Sequence, residues 1–476
     1  MDLSGFFIVA PSVVGIGEPF ELKLKLLGEV REILPECFPL NQTEPQLSSR
    51  YNLSPRGLAF KDNVLPEFEG SIELSGGDGY EGPATYTFEG GRRPIAAIPG
   101  IRYTREGFHY ITVTANGKQA RSNPIRVCQD PPVERLFWGD THAHTIFSDA
   151  IRSPEEVYGF ARDEGFLDLF SMTDHAEALT DRQWDYFVSV ANDHYEPGRF
   201  ATLVALEWTN FEVGHRNVYY PGDYGPILRA TDSPYQDLEG LYRAAREHGA
   251  LLVPHHSANT QMGVKWHAGH DPEMERLVEI HSVWACSERA EHQGNPYPIR
   301  VQDGETDGQH VIDALNLGYR FGIIGSGDIH DGRPGDDLSS LQNMAQSHLT
   351  ARQGIMGFWA KELTREAAFE AMWNRRVFGT MNVRVYLRFE VCGAFMGSTV
   401  RHDGPRQIRL EAASESPFTL IEIVRNGETI QKIEPGECEI LWDTQDAGSG
   451  GMDYYYGRLM RKDGQMAWSS PVWVEP

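Results

Sequence analysis

A chain of 476 residues that is 40% hydrophobic and 11% aromatic can bury several cores. That excludes global disorder and allows about three domains. Its net charge of −25 excludes extended nucleic acid and anionic membrane surfaces as partners, because phosphate backbones are bound by clustered cations. A small anionic substrate stays open only where positive charge is supplied locally.

The N-terminus has no basic segment leading into a long apolar one, so no signal peptide is read, and no apolar run approaches about 18 residues. Residues 1–130 read as β-rich. FELKLKL, from Phe20 to Leu26, alternates apolar and polar side chains, as a half-buried strand does. The stretch from about 40 to 100 is rich in Gly, Pro, Asn and Ser and is expected to form long loops. It carries sequons at Asn41 and Asn52 that mean nothing in a cytosolic protein. GFHYITVTANG is a second strand ending in the hairpin pair Asn116-Gly117. Pro131-Pro132 reads as a stiff boundary.

From about Leu136 strands and helices alternate. SPEEVYGFARDEGF predicts a helix capped by Ser153 with Pro154 in its first turn. LDLFSMTDH and ATLVALEW read as strands, LEGLYRAAREHGA as a helix ending at Gly249, and ALLVPHH as a strand. HVIDALNLGYR is helical, FGIIGSGDIH is strand-like, and LTREAAFEAMWNRR is the last clear helix. This alternation indicates βα units and a parallel sheet or barrel. After Val385 the chain is β-rich again, with Asn426-Gly427 as a turn. The predicted organisation is 1–130, 135–384 and 385–476.

Of 17 histidines, 14 lie between His142 and His330, where an even spread would place about seven. The polar groups fall where strands end. GDTHAHTIFSD supplies Asp140, His142, His144 and Asp149, and MTDH supplies Asp174 and His175. ALEW gives Glu207, GHRN gives His215, VPHH gives His255 and His256, and GSGDIHDGRPG gives Asp328, His330 and Asp331. In α/β barrels the C-terminal strand ends hold the site, so these points should converge. Imidazole and carboxylate without thiolate suit Zn, Mn or Fe in hydrolytic sites. The surplus of ligands suggests two or three divalent ions. Such a cluster makes hydroxide from a bridging water at neutral pH and clamps an anionic ester oxygen. The five cysteines include no CxxC pair, which fits a reducing cytoplasm and no disulfide framework.

These motifs, HxH…SD, TDH, a lone Glu, a lone His, PHH and GSxDxH, run in the order found in the PHP (polymerase and histidinol phosphatase) superfamily. The chain resembles its large members long described as a domain of unknown function, including GEPF near Gly17 and SNPIRV near Ser122. The resemblance implies an α/β fold: a distorted (β/α)7 PHP barrel flanked by β-sandwich-like N- and C-terminal modules. It also implies three metal positions. His142, His144 and Asp328 hold the first, and Glu207 bridges it to a second completed by His215 and His255. Asp149, His175 and His330 hold the third, which is the position most open to question because some members have His where this chain has Asp149.

His256 stands where many members have proline, so it is expected to touch substrate or act as a general acid, with simple packing as the alternative. Asp174 is expected to orient a neighbour or to protonate the leaving group. Arg216 and Arg333 are expected to pair with a substrate anion, against the competing role of bracing metal carboxylates. His267, His270, His281 and His292 read as ordinary polar residues. HSANTQMGVKWHAGHDPEME reads as an irregular loop over the site, with Lys265 and Trp266 open to substrate or to solvent.

The function these residues predict is a metal-dependent phosphoesterase on a small soluble substrate, using a metal-bridging hydroxide. The alternatives are hydrolysis of an amide, lactone or sulfate ester on the same cluster, and a non-catalytic metal-binding scaffold. No nucleic-acid or membrane partner is expected, and a homo-oligomer is left open.

Overall fold

A computed structural model describes residues 2–33, 60–65, 68–130, 132–336 and 352–476. The sequons at Asn41 and Asn52, and Pro131 of the expected boundary pair, lie outside the described residues. The alternating run at 20–26 belongs to the strand Phe20–Ile33, whose Leu22, Leu24 and Leu26 turn into a core. It pairs antiparallel with Gly5–Val9 and with Ile95–Tyr103. In a second sheet Gly70–Ser75 lies between Thr85–Phe88 and Thr112–Ala115. The hairpin from Thr112–Ala115 to Lys118–Arg121 turns on Asn116-Gly117, both at positive φ.

The long loops expected from 40 to 100 are therefore corrected from residue 60 onward, where Phe60–Val64, Gly70–Ser75, Thr85–Phe88 and Ile95–Tyr103 are strands. The glycines and prolines mark turns between them. Ile72 and Leu74 do alternate inward, but so short a run between turns is a weak signal.

The centre opens with three parallel strands, Arg135–Asp140, Leu169–Phe170 and Ala201–Thr202. The helix Pro154–Asp163 crosses between the first two and carries the expected cap: Ser153 and Glu156 each bond the other's backbone N–H. Beyond them the pairing changes. Val204–Trp208, Arg216–Tyr220 and Leu251–Pro254 run antiparallel in sequence. The seven-residue link 209–215 is too short for the crossover that parallel pairing needs, so uniform βα alternation is corrected here. Single bridges, His175 with Glu207 and Leu252 with Glu275, join this sheet to its neighbours. Leu277–Ser282 then pairs parallel with Gly322–Gly325, and a further bridge links Ala143 to Ile329. All these strands aim their C-terminal ends, or for the 216–220 strand its start, at one region.

The helix Leu238–His248 stops at Gly249, whose φ of 63° closes a left-handed cap. On the far edge Ile355–Ala360 pairs with Arg135–Asp140 and with Val377–Thr380, which in turn pairs with Met466–Ser469. One sheet thus continues from the central strands into Asp453–Arg461, Phe418–Arg425 and Glu428–Ile433, the last two joined by the Asn426-Gly427 turn.

Two buried charge networks tie distant segments together. Glu288 accepts from Arg458 Nε at 2.8 Å, Tyr456 Oη at 2.6 Å and Trp468 Nε1 at 2.8 Å, and Arg458 also donates to Glu422. At the other side Lys25, 1% exposed, donates to Asp336 at 2.8 Å, and Arg333 shares the same carboxylate at 2.6 Å. Among the described residues no helix is long and apolar enough to cross a membrane.

Candidate metal centre

The first ligand pair is set by the turn after Arg135–Asp140. Asp140 accepts from the backbone N–H of His142 at 3.2 Å and of Gly327 at 2.8 Å, which fixes the turn beside the last strand. Burial pushes the Asp140 carboxyl up to about 7, against the pull of those two N–H groups. Gly327 has no room for a side chain, since a Cβ would lie 2.5 Å from Asp140 Oδ2. Asp174 holds the next stretch from behind, accepting from Thr145 N and Oγ1 and from Ser148 Oγ at 2.7–3.0 Å. At 1% exposure it braces the HxH turn.

His142 and His144 then point their Nε2 atoms at the same two carboxylates. His142 Nε2 lies 3.3 Å from Asp328 Oδ1 and 3.4 Å from Glu207 Oε2, and His144 Nε2 lies 3.3 Å from both. An ion bound tetrahedrally at 2.0–2.1 Å holds its ligand atoms about 3.3 Å apart, so these separations are those of groups arranged around a shared ion. His142 Nε2 is fully enclosed and makes no hydrogen bond.

Glu207 faces two ways. Its Oε2 meets His142 and His144, and its Oε1 lies 2.7 Å from His215 Nδ1, 3.3 Å from His175 Nδ1 and 3.5 Å from His255 Nε2. Burial would raise this carboxyl, but His175, His255 and His215 outweigh it and hold it well below the usual range. Asp328 is likewise held low against its burial, chiefly by His142. The histidines answer in kind. Burial opposes protonation of His142 and His144, yet carboxylates around them keep His142 well above the usual imidazole value and raise His144 to about 9.

Four groups of side chains have ligand atoms within 4.8 Å of one another and could each hold an ion: His142–His144–Glu207, His142–His255–Asp328, His144–Asp149–His330 and His215–His255–His256. The expected ligands therefore stand together but are grouped differently: His255 closes with His142 and Asp328 as well as with His215, and His256 joins His215 and His255. His144 rather than His175 closes with Asp149 and His330, and His175 Nε2 stands 3.7 Å from Asp149 Oδ2. Asp149, half exposed, and His175, a quarter exposed, form the open side of the cluster. His256, expected at the substrate or as an acid, is 4% exposed and packs its ring 4.3 Å from His255 and 5.1 Å from His215.

Arg216 and Arg333, expected to pair with a substrate anion, are found bonded to the protein's own groups. Arg216 is wholly buried, bonded to Glu275 Oε1 at 3.0 Å and to the carbonyls of Val213 and Gly214 at 2.7 Å. It braces the turn that presents His215, while its Nη2 is enclosed without a hydrogen bond. The turn is tight: Gly214, at φ 93°, lies where a Cβ would strike the Val264 backbone at 2.6 Å. Arg333 is 1% exposed, pairs with Asp336 and covers the Phe160 ring at 4.8 Å, so it too is a brace. Both follow ligands in sequence, but adjacency along the chain does not fix direction.

Of the loop residues, Trp266 is buried with its indole bonded to His310 O, and Lys265 is exposed. His270 pairs with Glu275 and His281 with Arg352 O, as ordinary polar residues. Glu279 was missed by sequence reasoning. It lies at 2.9 Å from His142 Nδ1 and so turns the opposite nitrogen inward. Its signal was present, since LVEI places a lone Glu in an apolar strand as LVALEW does. Thr209, 2.6 Å from His175 Nδ1, was also missed and carried no such signal.

A family model described as a protein of unknown function (DUF3604) matches residues 160–277. Uncharacterized proteins of Chlamydia pneumoniae and Chlamydia trachomatis serovar D are each 26% identical over 79% of this chain, which spans 64% of their length. Among solved structures, a two-domain protein of Bacteroides vulgatus, described as containing a predicted PHP-like metal-dependent phosphoesterase, is 14% identical. It covers 73% of this chain and 98% of its own, at a TM-score of 0.38.

Proposed function

We propose that this protein is a metal-dependent hydrolase, and that its reaction is hydrolysis of a phosphate ester on a small, anionic, soluble substrate. One observation carries the reading: imidazoles and carboxylates from separate strand ends stand at ligand–ligand distances around Glu207, with enclosed ring nitrogens such as His142 Nε2 left without a hydrogen bond. Buried polar atoms are rarely left this way unless a ligand completes them. The donor set, nitrogen and carboxylate oxygen, fits two or three ions of the Mn, Zn or Fe kind. Bound there, such ions would supply a strong nucleophile from water at neutral pH and offset charge on an ester oxygen.

The chain's own residues do the rest. Glu279 holds the His142 tautomer, Glu207 presents one oxygen to each side of the cluster, and Asp174 and Asp140 fix the turns. Asp149 and His175, at the open side, are where an incoming anion first meets the site. The choice of phosphorus rests on the motif order resembling the PHP superfamily; the ligand set alone supports hydrolysis. The same reading takes the central strands as a distorted (β/α)7 barrel with β modules at 1–130 and 385–476, in a cytoplasmic protein whose described cysteines Cys128, Cys286, Cys392 and Cys438 are thiols.

The test is elemental analysis of protein purified without chelator, then a panel of phosphate, sulfate and carboxyl esters with added Mn, Zn or Fe. About two to three ions per chain with chelator-sensitive phosphatase turnover is the expected result. Bound metal without turnover on any ester would leave a scaffold, and turnover indifferent to chelation would end the metal reading.

A further inference from the structure

We infer that His256 is itself a metal ligand, and that His215, His255 and His256 form an all-imidazole position selective for zinc-class ions. This rests on the metal reading above and adds a position with different chemistry from the carboxylate-bearing one beside it. One ring nitrogen from each of the three lies within 4.8 Å of the other two. A tetrahedral ion at 2.0–2.1 Å needs them about 3.3 Å apart, a closure that small side-chain rotations supply.

The direction of the rings is the second observation. His215 gives its Nδ1 to Glu207 Oε1 at 2.7 Å, so its Nε2 points away from that carboxylate, and this Nε2 is enclosed without a hydrogen bond. Both ring nitrogens of His255 and the Nδ1 of His256 are enclosed and unbonded too. Glu207 Oε1 comes within 3.5 Å of His255 Nε2 without bonding it, and among the described residues none of these four nitrogens has a hydrogen-bond partner. Four stranded imidazole nitrogens in one place are costly to bury, and a shared cation relieves three at once.

The backbone is the third. His256 sits at φ 32°, a left-handed angle that a side-chain-bearing residue adopts rarely, and it is held there with its ring against both neighbours. A substrate contact would need an open path, and at 4% exposure the ring has little.

Nitrogen-only coordination sets the metal. Three neutral imidazoles suit Zn, Co, Ni or Cu and discriminate against Mn and Mg, which prefer oxygen. The position around Glu207 and Asp328 offers oxygen as well and accepts the harder ions. The chain should therefore take a zinc-class ion at the triad even when manganese fills the rest.

The experiment strips the full-length protein of metal and titrates it with Co²⁺, with Zn²⁺, and with Mn²⁺ alone. Bound metal is counted by mass spectrometry and cobalt geometry is read from visible absorption. His256→Asn keeps a side chain that tolerates the left-handed angle, and His256→Gly removes the ring and any strain. Both are expected to bind about one fewer zinc or cobalt per chain and to lose the intense absorption of four-coordinate cobalt. Manganese uptake and the melting temperature of the metal-free form should stay as in the unaltered chain. Either variant keeping full zinc content and an unchanged cobalt spectrum overturns the role of His256 while leaving the hydrolase reading intact. Failure of the unaltered chain to bind any metal overturns both.

Discussion

Two buried polar clusters in this molecule look alike in composition and differ in completeness. Around Glu288 every oxygen has a donor: Arg458, Tyr456 and Trp468 converge on one carboxylate, and Arg458 carries on to Glu422. Around Glu207 the Nε2 atoms of His142 and His144 stand 3.3–3.4 Å from the carboxylates of Glu207 and Asp328, longer than good hydrogen bonds, and His142, His215 and His255 have enclosed nitrogens with no partner. In the first network both Glu288 oxygens are filled by the protein's own groups, although Arg458 Nη2 is enclosed without a bond, and it works as a clip between the 285–290 segment and the C-terminal strands. The second is left open at its centre. Burial and charge do not separate structure from site here; several unbonded imidazole nitrogens gathered around one carboxylate do.

Substitutions in the two clusters should break along that line. Arg458→Met leaves Glu288 and Glu422 buried without their cation, and an equilibrium unfolding curve should show a loss of about 3–5 kcal/mol with metal content unchanged. Metal loss in parallel with stability would mean the clip belongs to the site. Asp328→Ala should act chiefly on the site: kcat/KM falls by more than about 100-fold, beyond what an outer partner costs. The fold should survive with a lower metal-free melting temperature, because a carboxylate that the charged histidines favour is gone. Full activity in that variant would remove Asp328 from the cluster. Glu279→Gln keeps an oxygen near His142 but drops the charge. A metal titration should give an affinity lower by about 10- to 100-fold, and an unchanged affinity would make Glu279 a bystander.

The smallest effect is in pH. His144 is raised from 6.5 to about 9 in the folded, metal-free chain, so its contribution is complete below pH 6.5 and fades as pH rises toward 9. Glu207 is held below its ordinary 4.5, so its contribution is present above that value and is lost on acidification. The metal-free protein should therefore melt a few degrees lower at pH 9 than at pH 6. Loaded with metal, whose binding displaces those protons, it should lose that decline. A metal-free melting temperature flat across this range would show the histidines are not charged by their neighbours.

Much of this was legible beforehand, and unevenly so. The candidate ligands were readable because a histidine or carboxylate at the end of an apolar strand is conspicuous, and the helix caps at Ser153 and Gly249 announced themselves in local sequence. Direction was not readable. Arg216 and Arg333 stand next to ligands along the chain, yet their guanidinium groups turn into the protein, toward Glu275 and Asp336. Partners 59 residues away in one case and 3 in the other carry no common spacing that could have shown it. The antiparallel turn at 209–215 was readable in principle from its length alone. Strands between 60 and 103 were hidden because each is brief and their turn residues dominate the composition.

The ion pair between Lys25 and Asp336 has a consequence in time. The two residues are 311 positions apart, so on a growing chain the lysine is made long before its carboxylate. At about 5–20 residues per second the delay is roughly 15–60 s. Burying a lysine without a counter-charge means giving up its proton or a large solvation energy, so over that interval burial of this side chain is disfavoured. The face of the N-terminal sheet that carries Lys25, though first to be synthesised, gains its counter-charge only from the loop that follows His330.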